Sequence, residues 1–396
     1  MPLTVFLMNS SRRWIGEAAH TLMLARLLEG AGHRVLLGCR RGRELEKAAG
    51  AIHLPALPLT FSSRLAPLHD LQDVMRVRRA VKTSGFQIVH CHRGKEHWTA
   101  WLALAGLRRR VLLVRTRHVV TPLRTHWPNR MLFERCTDGL IAVSRAALES
   151  FGPMLERIPP RRVAVIYSAV DSERFHPCRR DEELRRSWGV EPGGLAIGLV
   201  ARFQHIKGQR VFLQAAAEVA HKAPGVRFVL FGRRVGVNAE RLRRWAAELN
   251  LPDEQVVVEG RDLPVERVVA SLDVGVSASL GSEGFSRIAV EYMASGLPVV
   301  ATRVGALPEI VLDGETGFIV PSRDPAALAA RLTLLCRDGA LRARLGEAAR
   351  ARAVSKFHPA RFLGDTVAFY EALLEDKGLA GNPGRRRHPG THHGGA

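Results

Sequence analysis

The chain of 396 residues is expected to be an α/β protein built on two doubly wound parallel sheets, and three observations carry that expectation. The length exceeds one ordinary core, and 46% apolar with 24% charged residues is the balance of a folded chain. Short apolar runs alternate with helical stretches, beginning with Leu3 to Leu7, a helix from Glu17 to about Ala31, and Arg34 to Gly38. The same alternation restarts at Leu195, with Ala196 to Val200 as a strand, a helix to about His221, and Val226 to Gly232 as the next strand. Each half thus opens as a β-loop-α-β unit, the pattern of a parallel sheet whose ligands bind at the carboxyl ends of its strands.

In the first half, Ile88 to His92 reads as a strand with a polar end, followed by a helix from about Glu96 to Gly106. Val111 to Arg115 is the next strand, and it runs into Thr116-Arg117-His118. His90, His92, Arg117 and His118 therefore fall at carboxyl strand ends. His90 and His92 are read as facing opposite sides of the strand end, so their rings are expected not to converge on a metal. Thr121 to Arg135 shows no repeating pattern. Gly139 to Val143 is a strand with Ser144 as helix N-cap, and Val163 to Ile166 is another. The charged, turn-rich run HPCRRDEELRRSWGVEPGG then marks the link between halves. Beyond it, Gln255 to Glu259 is a strand ending at Gly260-Arg261-Asp262-Leu263, Asp324 to Arg352 reads as helical, and a last helix covers about Pro359 to Glu375.

The chemistry concentrates in Asp273 to Thr302, DVGVSASLGSEGFSRIAVEYMASGLPVVAT. Its apolar start is a buried strand, and the break at Gly281-Ser282-Glu283-Gly284 leads into a helix from about Ser286 to Ser295, closed by Gly296. Glu283 is thereby placed at a strand's carboxyl end and Glu291 inside the helix. The N–H groups of Ser286, Arg287 and Ile288 would offer an anion site beside them. Arg202 and Lys207, around the loop after the restarting strand, are two cations able to close on a diphosphate. The sequence has no D-x-D pair to hold a divalent metal, so charge developing on a leaving diphosphate would be met by Arg202, Lys207 and the helix amides.

SEGFSRIAVEYMASGLPVVAT resembles, almost residue for residue, the donor-binding signature of the retaining glycosyltransferases with the GT-B fold, among them lipopolysaccharide-core glucosyltransferases and phosphatidylinositol mannosyltransferases. The resemblance implies two Rossmann-like domains facing a central cleft. An acceptor-binding domain would cover residues 1–175, a nucleotide-sugar domain 176–358, a helix crossing back to the first domain 359–376, and a disordered basic tail 377–396. It also implies roles. Glu283, with Gly284 and Phe285 beside it, faces the donor sugar, and Glu291 binds the nucleotide ribose. His118, in TRHVV, contacts the sugar, and Arg202 and Lys207 hold the diphosphate. Gly16 lies in the loop near the phosphates, where relatives carry two adjacent glycines. Arg261 and Leu263 lie where relatives hold the base by backbone groups, with Leu263 packed on its face. Where relatives carry Asn-Gly, this chain has Ser168-Ala169.

Composition bounds the alternatives. Five widely spaced cysteines without a C-x2-C pair read as free thiols, and no apolar run is long enough to span a membrane. No signal peptide is evident at the N-terminus, so a cytoplasmic protein is expected. The net charge of +21 is uneven: residues 1–178 hold 28 Lys/Arg against 13 Asp/Glu, residues 179–376 hold 27 against 25. A basic acceptor half fits an anionic membrane face or a phosphorylated glycolipid. The leading expectation is a metal-independent, cofactor-free hexosyl or heptosyl transferase acting on a lipopolysaccharide-core or other lipid-linked acceptor from the inner membrane face. A GT-B sugar-nucleotide epimerase is the alternative enzyme. A basic nucleic-acid-binding protein is the alternative of another class, although no nucleic-acid-binding motif accompanies the charge.

Overall fold

The computed structural model describes residues 2–62 and 66–379 and contains two wholly parallel sheets. The first comprises β1 Thr4–Asn9, β2 Arg34–Arg40, β3 Ala56–Leu59, β4 Ile88–Cys91, β5 Leu112–Arg117, β6 Gly139–Ala142 and β7 Val163–Val165, in the order β3-β2-β1-β4-β5-β6-β7. The second comprises β8 Leu195–Val200, β9 Val226–Phe231, β10 Val256–Glu259, β11 Val274–Ser277, β12 Val299–Thr302 and β13 Gly317–Val320, in the order β10-β9-β8-β11-β12-β13. Both orders reverse beside the first strand, between β1 and β4 and between β8 and β11. Crossovers leave in opposite directions there, so each sheet has a crevice at the carboxyl ends of those strands.

The strands are nearly continuous apolar runs because helices cover both faces, and Val5, Phe6, Leu7 and Met8 are all fully buried. One covering helix, Arg287–Ala294, is locked by Tyr292. Its ring lies where a Cβ on Gly275 of β11 would come within 2.4 Å, and its hydroxyl accepts the N–H of Val200 at 2.7 Å. The helix start is thereby pinned beside the ends of β8 and β11.

The helix Pro359–Asp376 returns to the first sheet, where Phe362, Tyr370, Leu373 and Leu374 share a core with Leu3, Val5 and Ile88. Three local expectations change. Asp324 to Arg352 is two helices, Pro325–Arg337 and Gly339–Lys356, because the Asp338 carboxylate accepts the Leu341 N–H at 2.8 Å and restarts the helix before Gly339. The patternless Thr121 to Arg135 contains a helical turn at Trp127–Arg130 that widens into a π-turn at Met131–Arg135. Two residues of the expected tail are held in place: Lys377 pairs with Asp138 at 2.8 Å, and Leu379 packs on the first core. Residues 380–396 lie outside the described ones. Val170 and Phe175, just before the linker, pack into the core of the second sheet.

Candidate active site

After β8 the chain passes Arg202 and makes a tight turn at His205–Lys207, ending at Gly208 with φ of 72°. A Cβ on Gly208 would lie 1.9 Å from the carbonyl oxygen of Ala278, so only glycine lets this turn rest against the loop after β11. The close approach brings Lys207 to Glu283. The ammonium pairs with Glu283 Oε1, and the Ser279 hydroxyl donates to the same oxygen at 2.6 Å. Glu283 is 6% exposed, so both partners act on a carboxylate shielded from water. Downstream, Ser286 makes no side-chain capping bond, which leaves first-turn N–H groups for an anion. Glu291, one turn in, accepts from Arg287 Nη2 at 3.0 Å.

The first domain supplies the opposite wall. His20 comes from the helix Gly16–Gly30, His92 follows β4 and His118 follows β5. His92 Nδ1 and His118 Nε2 are 3.0 Å apart, and His20 Nδ1 meets the Ser168 hydroxyl at 3.0 Å. Among the described residues these three form the one group of His, Cys, Asp or Glu compact enough to share a metal ion, with one ligand atom from each lying within 4.8 Å of the others. The expected divergence of His90 and His92 is overturned. Their rings stack at 4.4 Å, because residues two apart along a strand project from the same face. His90 instead bonds Tyr370 and Thr116, both at 2.6 Å. Burial, and secondarily Arg287, lowers the pKa of His20 to about 3; burial first, then neighbouring imidazoles and arginines, holds His92 and His118 well below the usual histidine value. The wall is made of neutral imidazoles able to bond hydroxyls.

Several contacts hold the walls together. Gly284 lies against the backbone of the first domain, where a Cβ would come 2.0 Å from the His118 carbonyl oxygen. Its own carbonyl accepts from the Ser144 hydroxyl at 2.7 Å. Glu309 accepts from the N–H groups of Arg145 and Ala146 and from the Tyr167 hydroxyl, each at 2.8 Å.

Two adjoining cavities occupy the cleft. One of about 300 Å³ is lined by Gly16, His20, His118, Ser168, Arg202, Lys207 and Glu283 through Ile288. The other, of about 600 Å³, is lined by Arg261, Leu263 and Glu291, and shares Gly16, Arg202, Arg287 and Ile288 with the first. A cavity of that size accommodates a nucleotide. Every site residue expected from the sequence therefore borders one cavity or the other. Two differ in detail. The Arg261 guanidinium is tied to Glu259, at 2.9 Å through Nε and 2.6 Å through Nη2, and against the cost of burial these bonds help bring the Glu259 pKa down to about 2. Arg261 thus braces its loop. At Gly16 a Cβ would meet only Arg287 Cδ at 3.8 Å, an ordinary contact, so steric need does not explain the glycine. His20, His92, Ser144 and Glu309 were not singled out for the site. His20 had a signal, since it stands one helical turn from Gly16 and so shares its face.

The family of glycosyl transferases group 1 matches residues 180–352, and glycosyltransferase family 4 matches residues 15–174. A D-inositol 3-phosphate glycosyltransferase of Streptomyces scabiei is 31% identical over 329 residues, which are 76% of this chain and 72% of the relative. Another, of Corynebacterium urealyticum, is 35% identical over 217 residues, 52% of this chain and about half (49%) of the relative's length. The crystal structure of the Anabaena protein HepE in complex with UDP-glucose superimposes with a TM-score of 0.77 at 22% identity, covering 92% of this chain and 98% of that one, and shares the GT-B fold.

Proposed function

Because the chain belongs to the group 1 and family 4 glycosyltransferases, with the GT-B fold, we propose that it moves a hexose or heptose from a nucleotide-diphosphate sugar to an acceptor hydroxyl, with retention at C1 and without a metal. The observation that carries the reading is the meeting of Arg202, Lys207, Glu283 and the Ser286 helix start at the crevices of both sheets. The larger cavity would take the nucleoside, with Glu291 accepting from the ribose and Leu263 against the base; the smaller would take the sugar. That the Anabaena protein is complexed with UDP-glucose supports a donor of this class.

When the C1–O bond breaks, its electron pair goes to the diphosphate. Arg202, Lys207 and the first-turn amides face that charge in a site that is largely shielded from water. Lys207 has three N–H groups, so it can keep Glu283 while reaching a phosphate oxygen. Glu283 orients the sugar hydroxyls, and neutral His118 bonds another. The acceptor oxygen then bonds C1 from the same face, passing its proton to the departing diphosphate, so no separate base is assigned. The acceptor proposed is a lipopolysaccharide-core or other lipid-linked envelope glycan, reached from the cytoplasmic membrane face. A soluble polyol phosphate is the second reading, favoured by the relatives named D-inositol 3-phosphate glycosyltransferases. A screen of UDP-, GDP- and ADP-sugars for thermal stabilisation in EDTA tests the donor assignment. Stabilisation by one of them is expected, and no stabilisation by any would contradict it.

A further inference from the structure

His20, His92 and His118 come to one place from three elements, the helix Gly16–Gly30 and the ends of β4 and β5. One ring nitrogen from each lies within 4.8 Å of the other two, and His92 Nδ1 and His118 Nε2 are 3.0 Å apart. A tetrahedral zinc ion with Zn–N bonds of about 2.0–2.1 Å spaces its nitrogens about 3.3–3.4 Å apart, so each pair here needs an adjustment of about 1.5 Å or less. The hydrogen bonding of the rings suits a metal. His20 Nδ1 meets the Ser168 hydroxyl at 3.0 Å; with Nδ1 donating there, Nε2 keeps a lone pair, and a ligating imidazole is commonly fixed in this way through its other nitrogen. His92 and His118 face each other with one hydrogen between two nitrogens, while His92 Nε2 is buried without a hydrogen-bond partner. An ion would take both facing lone pairs, the hydrogen moving to the other nitrogen of its own ring. Three imidazoles with no carboxylate in the set are donors for zinc, nickel or copper, not for magnesium or calcium. His20 and His118 border the 300 Å³ cavity, which gives an ion its way in and a water its fourth position, and His92, 1% exposed, backs them. The charges of Arg287, Arg93 and Arg115 reach these rings and oppose a cation, and the nearest acids, Glu17 and Glu283, are already paired. Binding therefore draws on the metal–nitrogen bonds and not on the local field.

We propose that His20, His92 and His118 bind a transition-metal ion of the zinc class from the cleft, and that the bound ion inhibits the protein. The inhibitory half rests on the transferase reading; the binding half does not. An ion there engages the ring by which His118 would bond a sugar hydroxyl. It also sets positive charge beside C1 at the moment that atom loses its electron pair to the diphosphate, which raises the barrier. Transfer without a metal and inhibition by one are compatible, because the reaction needs cations at the diphosphate and this site lies on the opposite wall of the cleft.

The test titrates zinc into the full chain against a chromophoric chelator, in a buffer free of phosphate and thiols. Wild type, His20→Gln, His92→Gln and His388→Ala/His392→Ala/His393→Ala are compared, the last because those three histidines near the C-terminus are a separate source of imidazole. One tightly held equivalent is expected in the wild type and in the triple variant. Each glutamine variant, with cooperative unfolding retained, should weaken it by about tenfold or more, since a ligand matters at least as much as an outer partner. Co2+ in place of zinc is expected to show the visible absorption of a four-coordinate ion, a readout on the wild type that holds even where a variant fails to fold. No tight equivalent in the wild type, an equivalent lost with the C-terminal histidines, unchanged affinity in a folded glutamine variant, or a six-coordinate cobalt spectrum would overturn the site. Inhibition is read as donor-nucleotide release at rising zinc occupancy. Release falling in proportion to occupancy and recovering in EDTA is expected; undiminished release at full occupancy would overturn the inhibitory half. A chain that binds zinc at these residues yet releases nucleotide from no donor would contradict the transferase reading and leave the metal site standing.

Discussion

Lys207 spends its charge on Glu283 while no diphosphate is present, so one alanine substitution there removes both a carboxylate partner and a phosphate donor. Lys207→Ala is expected to lower kcat by about 10²-fold to 10³-fold, as loss of one preorganised donor does elsewhere, in an assay of nucleotide release. Turnover equal to wild type would remove Lys207 from the mechanism. Gly284→Ala puts a Cβ 2.0 Å from the His118 carbonyl oxygen, backbone against backbone, so neither side can turn away. The cleft should open, with activity falling about tenfold or more. A larger radius of gyration in X-ray scattering would accompany it, and wild-type activity and shape would contradict it. The placement of Arg202, Lys207, Glu283 and Glu291 at the cleft was legible because one loop or one helix carries each of them. His20 was not, because a helix face meets a strand end only through the tertiary fold.

At the scale of elements, four buried imidazoles and the half-buried His118, at the starts of helices and the ends of β4 and β5, share one electrostatic condition. Burial is the largest cause lowering the pKa of His20, His90, His92, His97 and His118. Above pH of about 6.5 the folded and unfolded forms are both neutral at these groups, and they contribute no pH dependence. Below it the unfolded chain takes up protons that the folded chain refuses, so stability should fall by about 1.4 kcal/mol per pH unit for each group. For His20 the loss continues until pH nears its folded value of about 3. Urea midpoints between pH 7.5 and 5 check this, and a flat profile would contradict it. The last helix is a second elementary dependence: the Tyr370 hydroxyl bonds His90, and Phe362, Leu373 and Leu374 close the first core. Truncation after residue 358 is expected to unfold the first domain, seen as loss of its cooperative transition. The helix was expected at about Pro359 to Glu375, and it spans Pro359–Asp376. The break at Asp338 was not, since Ala, Leu and Arg continue on both sides and only the carboxylate's capping bond interrupts them.

For the whole molecule, the repeated β-loop-α-β openings announced two sheets, and both reversals in strand order lie beside the strand that opens each one. What the sequence could not display was how the halves meet. Ser144, Gly284 and Glu309 are far apart in the chain, and their contacts follow from the closed arrangement. That arrangement sets the neutral imidazoles of one domain opposite the cations of the other, and no helix among the described residues is long and apolar enough to cross a membrane. On the proposed reading, the charge that a leaving diphosphate requires would come from Arg202, Lys207 and the helix start at Ser286. The most direct measurement is the rate of donor-nucleotide release by the intact chain in excess EDTA, set against the rate with added magnesium and against Lys207→Ala in EDTA. Equal rates with and without metal, and a drop of about 10²-fold or more in the variant, are expected; abolition of wild-type release by EDTA would show that a metal performs the task assigned to the two cations.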